Sequence, residues 1–264
     1  MNSSASNKRR FSLWAVRRET RRGPRFLCVA SLILVALADS AANSVRASES
    51  VGTSLRIAVS ANFAGTAERL IRDFEHVSNV EASLSIASTG VLVTQASMGA
   101  PFDVLLAADV AGPARLAQHN SATGAPFCYA RGKLALVGGQ LADLADNRHS
   151  VAIANPTTAP YGRAAVEVLR RSEFSGGSAR KLVRGNNVLQ AYQYWQSGNT
   201  RLALVALSLA PEGRVIPAEW HQSLQQDGVI LGRAAANPNA VEFVNYLRSD
   251  PAQSIIAAAG YDPC

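Results

Sequence analysis

The stretch Leu55–Val77, LRIAVSANFAGTAERLIRDFEHV, decides the fold. Its first five residues are mostly apolar and favour a strand, and the turn Ser60-Ala61-Asn62 follows them. Beyond Asn62 the apolar residues recur at helical spacing, which predicts an amphipathic helix. Because strand, crossover helix and strand is the order of a parallel sheet, this stretch predicts an α/β protein.

The same change from strand to turn to helix occurs at three further places in the chain. A helix that begins at such a turn leaves its first backbone N–H groups without partners, at the positive end of the helix dipole. Ligands of α/β sheets bind outside the carboxyl ends of the strands, where these turns lie. If the turns converge, the sequence predicts an anion site. The three further turns are Ser88-Thr89-Gly90, Pro160-Tyr161-Gly162 and Gly185-Asn186-Asn187.

Two clusters of alternating strands and helices follow one another with no flexible linker between them. This pattern predicts two lobes, each a mostly parallel sheet flanked by helices, joined by two chain crossings. We expect the crossings near Phe127–Lys133 and near Gln226–Leu231. Lobe I is then residues 48–130 plus 226–264, and lobe II is residues 131–225.

The N-terminal residues 1–47 have the pattern of a removable secretory signal. A basic segment ends at Arg25, and an uncharged apolar run extends from Phe26 to Ala38. Val45-Arg46-Ala47 fits a cleavage site, with cleavage after Ala41 or Ala42 as alternatives. The apolar run is shorter than the ~20 residues that a membrane-spanning helix needs. The sequence therefore predicts an exported protein.

The net charge of +7 comes from that leader. Residues 1–47 hold nine Lys and Arg against two acidic residues, and the remainder holds 17 basic and 17 acidic side chains. A neutral mature chain gives no reason to expect binding to nucleic acid.

Two cysteines remain in the mature chain, and neither has the spacing of a metal site. Cys128 and Cys264 can pair in an oxidising compartment or remain as two thiols, and the sequence leaves both open. Asp103 and Asp109 flank a predicted strand, where they could act as acid and base in a secreted hydrolase or could orient the adjoining loops. No nucleophile elbow or phosphate-binding loop accompanies them, which favours a binding protein over an enzyme.

The chain resembles the periplasmic molybdate-binding proteins of ABC importers, which have the type II periplasmic binding fold. The order and spacing of the matching segments make the resemblance specific, and together they extend over nearly the whole mature length. The segments are Ala61-Asn62-Phe63, Ser88-Thr89-Gly90, the run from Gly99 to Asp109, Ala154-Asn155-Pro156 with Ala159-Pro160-Tyr161-Gly162, Asn186-Asn187-Val188, and the run from Ala257 to Tyr261.

The resemblance implies that both lobes hold an oxyanion without a cation. In family members the first turn supplies a polar side chain with backbone N–H groups, and the second turn supplies a hydroxyl. The second lobe supplies two backbone N–H groups. Some relatives add a tyrosine where this chain has Ala206, so the Tyr161 hydroxyl is expected to replace it. The implied ligand-binding residues are Ala61, Asn62, Ser88, Thr89, Tyr161 and Val188, with the molybdate oxyanion held through Asn62, Thr89, Tyr161 and Val188.

Molybdate is a dianion at neutral pH and needs only hydrogen-bond donors, which amides and hydroxyls supply. None of the four turns contains Asp or Glu, which argues against an anion that retains a proton, such as hydrogen phosphate. Sulfate and tungstate remain alternatives. Each residue also has a plainer interpretation: Asn62 as a helix cap, Thr89-Gly90 as an ordinary turn, and Tyr161 as a core aromatic.

The expected function is therefore a monomeric periplasmic receptor that delivers molybdate, or tungstate, to an inner-membrane ABC permease. We expect no cofactor besides the ligand, no catalytic residue and no nucleic-acid partner. A receptor for sulfate and a secreted α/β hydrolase are the alternatives.

Overall fold

A computed structural model describes residues 54–264 of the chain. The predicted signal, residues 1–47, lies outside the described residues. The strands are β1 (Leu55–Ser60), β2 (Ala82–Ala87), β3 (Val104–Leu106), β4 (Ala122–Arg131), β5 (Leu134–Val137), β6 (Val151–Ala154), β7 (Leu182–Gly185), β8 (Leu202–Ala206), β9 (Arg214–Val215) and β10 (Gln225–Leu231).

Seven α-helices and several short 3-10 helices connect the strands of the described residues. The α-helices are α1 (Ala64–Ser78), α2 (Thr89–Ser97), α3 (Ala111–Gln118), α4 (Pro160–Leu169), α5 (Val188–Gln196), α6 (Pro238–Leu247) and α7 (Asp250–Ala258). The 3-10 helices are Leu141–Ala145, Ser172–Gly177, Leu207–Leu209, Ala218–Trp220 and Gly232–Ala236.

The strands form two five-stranded sheets, one in each lobe. The first has the order β2-β1-β3-β10-β4, and the second has the order β7-β6-β8-β5-β9. β10 is antiparallel to both of its neighbours, and so is β5. The other four strands of each sheet therefore run in one direction, so their carboxyl ends lie at one edge, where the predicted turns follow β1, β2, β6 and β7.

The chain passes between the sheets at two neighbouring places. The first connection joins the end of β4 at Arg131 to the start of β5 at Leu134, and the second enters β10 at Gln225. The N–H of Gly132 donates to the carbonyl oxygen of Leu224 at 3.0 Å, so the two connections are hydrogen-bonded together. Residues 225–231 belong to the first sheet, so the second connection lies just before the stretch that the sequence suggested.

Each lobe has its own apolar core, made where helices cover the sheets. In the first lobe α1 buries Leu70 and Phe74, and Phe74 stacks edge-on against Phe243 of α6 at a centroid distance of 5.2 Å. In the second lobe β8 is buried along its whole length, as expected for a central strand covered on both faces. The core of the second lobe also includes Ala61 and Ala108 of the first lobe, so the two cores meet where the lobes are in contact.

A disulfide joins Cys128 of β4 to Cys264 at the chain end, across 136 positions of sequence. The sequence left this pairing open, because spacing alone does not determine which cysteines meet. The bond holds the C-terminal segment beside the first connection, where Arg131 pairs with Asp262. Within residues 54–264 no helix is both long and apolar enough to cross a bilayer.

Candidate functional site

The four predicted turns lie next to one another at the facing edges of the sheets. The N–H of Ala61 in the first turn donates to Ala87, just before the second turn, at 2.9 Å. Gly90 in the second turn donates to the carbonyl oxygen of Thr158, in the loop before α4, at 2.8 Å. Asn155 of that loop in turn donates to Gly185 of the fourth turn at 2.8 Å. A continuous chain of hydrogen bonds therefore links all four turns and both lobes.

At least one backbone N–H in or beside each turn has no acceptor among residues 54–264. These groups belong to Asn62, Thr89, Tyr161 and Val188. The last three are in the first turns of α2, α4 and α5, where unpaired N–H groups and the helix dipole together favour an anion. Ala61, the other predicted residue of the first turn, has its N–H engaged with Ala87.

The hydroxyl of Ser88 is buried and has no hydrogen-bond partner in the described part of the chain. Ser88 is the N-cap residue of α2, yet its side chain does not cap the helix, and only 4% of the residue is exposed. A buried hydroxyl that bonds to nothing costs about 1–3 kcal/mol, so its presence calls for a ligand or water. Among the predicted site residues, Ser88 is therefore the one whose side chain most clearly lacks a partner.

A pair of hydroxyls connects the first turn to the second. Ser60 Oγ and Thr89 Oγ1 are 2.6 Å apart, and the N–H of Ala108 donates to Thr89 Oγ1 at 3.0 Å. The two hydroxyls share two protons, and their mutual bond uses one, so the other is available as a donor. Ser60 was not among the residues predicted to bind, although its turn was, because the resemblance pointed to its neighbours.

The side chain of Asn62 belongs to a buried polar network rather than to a helix cap. Its Nδ2 donates to Gln226 Oε1 at 3.0 Å and to the Tyr261 hydroxyl at 3.1 Å. Tyr129 contacts the same Gln226 oxygen at 3.0 Å, and the carbonyl oxygen of Asn62 accepts from Ser208 at 2.9 Å. Both amide protons are thus committed, which leaves the backbone N–H as the free donor of Asn62.

The side chain and the backbone N–H of Tyr161 have different surroundings. The ring is buried in the core of the second lobe, and Gln226 donates to its hydroxyl at 3.3 Å. A side chain at Gly132 would overlap that hydroxyl, so the oxygen lies against the first connection between the lobes. The side chain of Tyr161 is therefore part of the core, as in the plainer interpretation of this residue. Its backbone N–H lies in the first turn of α4.

Three buried tyrosines surround this network, and all of them are held in the neutral form. Burial is the largest cause that raises the pKa of Tyr129, Tyr161 and Tyr261 above the usual value of 10.0. Neighbouring phenolic oxygens raise the pKa of Tyr129 further. Neutral phenols donate hydrogen bonds and add no charge to the network.

A family model for bacterial extracellular solute-binding proteins matches residues 55–262. The molybdate-binding protein ModA of Azotobacter vinelandii is 36% identical over 224 residues, 78% of this chain and 89% of the relative. ModA of Rhodobacter capsulatus is 33% identical over 217 residues, 77% and 86% of the two chains. The solved periplasmic molybdate-binding protein of Azotobacter vinelandii superposes with a TM-score of 0.74 at 32% identity, covering 80% of this chain and 99% of that one.

The chain belongs to the bacterial extracellular solute-binding protein family. The predicted family and the two-lobed α/β fold are thereby confirmed. Members of this family are receptors and not enzymes, so this solute-binding protein is no hydrolase.

The two acidic residues considered for catalysis have structural roles in this solute-binding protein. Asp103 accepts from the backbone N–H of Arg56 at 2.8 Å and fixes the start of β3 to β1. Asp109 accepts from the N–H of Gly112 at 2.9 Å and pairs with Arg163 of the other lobe at 2.7 Å. They lie at opposite ends of β3 and do not form an acid–base pair.

The lobes of this solute-binding protein are closed on one another. Contacts between them include Gly90 with Thr158, Ser208 with the carbonyl oxygen of Asn62, and the ion pair of Asp109 with Arg163. All six predicted ligand-binding residues are buried, at 2–4% exposure. These residues are therefore buried while the lobes are in contact.

Proposed function

We propose that this protein is a periplasmic receptor that binds molybdate between its lobes and delivers it to an ABC permease in the inner membrane. The observation that carries the proposal is the buried, unpartnered hydroxyl of Ser88 in the second turn, together with the N–H groups in or beside the four turns that have no acceptor in residues 54–264. The two ModA relatives, which are molybdate-binding proteins by name, support the same ligand.

The charge of the site supports a fully deprotonated anion. The donors are backbone amides and hydroxyls, and the nearby carboxylate of Asp109 is occupied by Arg163 and Gly112. The four turns contain no carboxylate that could accept from it, so an anion that keeps a proton would lose a hydrogen bond on binding. Molybdate and tungstate satisfy this requirement, and we include tungstate among the ligands.

Closure around the ligand follows from where the donors lie. Asn62, Ser88 and Thr89 belong to the first lobe, and Tyr161 and Val188 belong to the second. An anion meets both sets only when the lobes are shut, so binding shifts the population toward the closed form. The permease would then distinguish the closed, loaded receptor from the open one.

Export to the periplasm is supported from two sides. Residues 1–47 have the pattern of a secretory signal, and a disulfide between Cys128 and Cys264 persists only in an oxidising compartment. We infer that the mature receptor acts as a monomer, since each chain supplies both lobes and all the donors.

Replacing Ser88 with alanine should weaken molybdate binding by about 1.5–3 kcal/mol, roughly 10- to 150-fold, because one donor to a charged ligand is lost. Stability without ligand should not fall, and should rise by up to about 1–3 kcal/mol, since the variant removes a buried hydroxyl that bonds to nothing in the described residues. Calorimetric titration of the purified protein measures the affinity.

Thr200→Val is the matched control for that variant. Its hydroxyl is also buried, at 4% exposure of the residue, and also lacks a partner in the described chain, but it lies before the start of β8, away from the turns. We expect unchanged affinity in Thr200→Val. Equal affinities in both variants and the wild type would remove Ser88 from the site.

A thermal-shift panel of molybdate, tungstate, sulfate, phosphate and chromate tests the ligand itself. Molybdate and tungstate should raise the melting temperature most, because a ligand that binds only the folded state stabilises it by mass action. A larger shift with sulfate, or any large shift with phosphate, would reject the proposed specificity.

Replacing Gly162 with alanine should disturb the start of α4. A Cβ there would overlap the carbonyl oxygen of Ala154 and lie 2.9 Å from the carbonyl carbon of Asn155, both of them backbone atoms. We expect a loss of stability of about 1–3 kcal/mol from overpacking. We also expect about tenfold weaker molybdate binding, because the N–H of Tyr161 moves with the helix start.

Gly65→Ala provides the control for that change, since a Cβ at this position in α1 meets no atom within 4 Å. It should raise the free energy of unfolding by about 0.5–1 kcal/mol through helix propensity and leave the affinity unchanged. Urea denaturation and calorimetry report the two quantities. If Gly162→Ala had the stability and affinity of the wild type, the close contact of Gly162 with the backbone of Ala154 and Asn155 would not be what positions the site.

A further inference from the structure

A cavity lies in the second lobe and extends at one side to Arg163, which pairs with Asp109 of the first lobe. Its volume is about 700 Å³, within the range of small-molecule sites, and no candidate ligand-binding residue of the cleft lines it. Its walls come from α4, the segment after it, and β7. The charged side chains that line it are Arg163, Arg170, Arg171, Arg180, Arg184 and Glu167.

Three of these five arginines have no carboxylate partner within the described residues. Arg163 pairs with Asp109, and Arg171 pairs with Glu173 at 2.6 Å. The other three, Arg170, Arg180 and Arg184, form no ion pair in residues 54–264. The cavity therefore carries a positive charge that the protein itself does not neutralise.

Arg180 is the most unusual member of this group because it is buried, at 8% exposure. Its Nη2 donates to the carbonyl oxygens of Leu144 and Phe174, the latter at 2.7 Å, while its Nε is buried without an acceptor in the described chain. Burial lowers the pKa of the guanidinium from its usual value. A buried cation without an opposing charge is costly, so an anion beside it would be stabilising.

The second lobe as a whole is also positively charged, whereas the first lobe is negatively charged. Residues 131–225 hold 11 Lys and Arg against six acidic residues, whereas residues 54–130 and 226–264 together hold six against ten. The neutral total of the mature chain hides this asymmetry. The second lobe therefore attracts anions to the surface on which the cavity opens.

The remaining walls of the cavity are partly apolar, from Pro156, Val166, Leu169 and Leu182. We propose that this cavity binds a small phosphate-bearing polyanion, independently of the anion in the cleft. The arginines hold the phosphate oxygens through charge-assisted hydrogen bonds, and the apolar wall contacts the carbon portion of an organic phosphate.

Calorimetric titration of the purified protein with ADP and with inorganic pyrophosphate, each with and without saturating molybdate, tests the proposal. The variant Arg170→Gln/Arg184→Gln removes two exposed arginines of the cavity whose side chains form no hydrogen bond in the described chain. The control Lys181→Gln/Arg214→Gln removes two exposed cations of the same lobe that do not line the cavity. Arg180 is left in place because it binds two backbone carbonyls.

We expect saturable binding of at least one probe at one site per chain, unaffected by molybdate. Affinity should fall at least tenfold in the cavity variant and stay within twofold of wild type in the control. No saturable binding of either probe up to 10 mM, on the order of the weakest specific affinities, would overturn the proposal. Equal losses in both variants, or competition with molybdate, would also overturn it.

Discussion

Replacing Cys128 and Cys264 together with serine should lower the free energy of unfolding by about 5 kcal/mol, the largest stability change that we expect from this structure. The bond closes a loop across 136 positions of sequence, and the entropy that it removes from the unfolded chain grows with loop length. Because domains are typically stable by only about 5–15 kcal/mol, the variant should be close to unfolding at ambient temperature.

Urea denaturation of the oxidised wild type, the reduced wild type and the double variant measures this effect. The reduced wild type should match the double variant, which separates loss of the bond from the cysteine-to-serine change. Molybdate should restore part of the lost stability, because it binds the folded state. A difference below about 1 kcal/mol between the free energies of unfolding of the oxidised and reduced protein would contradict the prediction. It would mean that the bond does not restrict the unfolded chain as loop entropy requires.

Alkaline pH should destabilise the protein steeply above pH 10, with the three buried phenols of the network contributing about 4 kcal/mol per pH unit while they stay protonated. Burial raises the pKa of Tyr129, Tyr161 and Tyr261 in the folded state, whereas the unfolded tyrosines titrate near 10.0. Well below pH 10 both states hold these protons, so the phenols leave stability unchanged there. Above pH 10 the unfolded chain releases them first, so stability falls until the native pKa values are reached.

Denaturant unfolding at pH 9, 11 and 12 measures that slope, which is reached only where the unfolded tyrosines are almost fully ionised. Tyr129→Phe should reduce it by about 1.4 kcal/mol per pH unit, since one phenol is removed. The same variant should be less stable at pH 7, because the hydroxyl that it removes contacts Gln226 and the carbonyl oxygen of Ala107. An identical slope in wild type and Tyr129→Phe would mean that this phenol does not titrate with unfolding.

The sequence predicted the parts of the fold that depend on local pattern. The strand and helix on either side of Asn62 are present, as β1 and α1. β4 was not predicted, because Gly124 and Pro126 interrupt its pattern and an edge strand tolerates both. β10 was not predicted either, because its first residues, Gln225 to Asp227, are polar.

In the candidate site, too, the sequence predicted the features that depend on local pattern and missed those that depend on contacts between distant residues. The turns and their free N–H groups follow from local pattern and from resemblance. The role of the Asn62 side chain does not, because Gln226 and Tyr261 lie 164 and 199 positions away in the sequence. The pairing of Cys128 with Cys264 likewise depends on a distance in space that spacing along the chain does not reveal.

Titration of the wild-type protein with molybdate at pH 6 and at pH 9 tests the central claim most directly. A dianion held by neutral amides and hydroxyls should bind once per chain with the same affinity at both pH values, because no cationic side chain has to be protonated. Absence of binding would contradict the account. So would an affinity that falls steeply between pH 6 and pH 9, as a site built on a histidine cation would show.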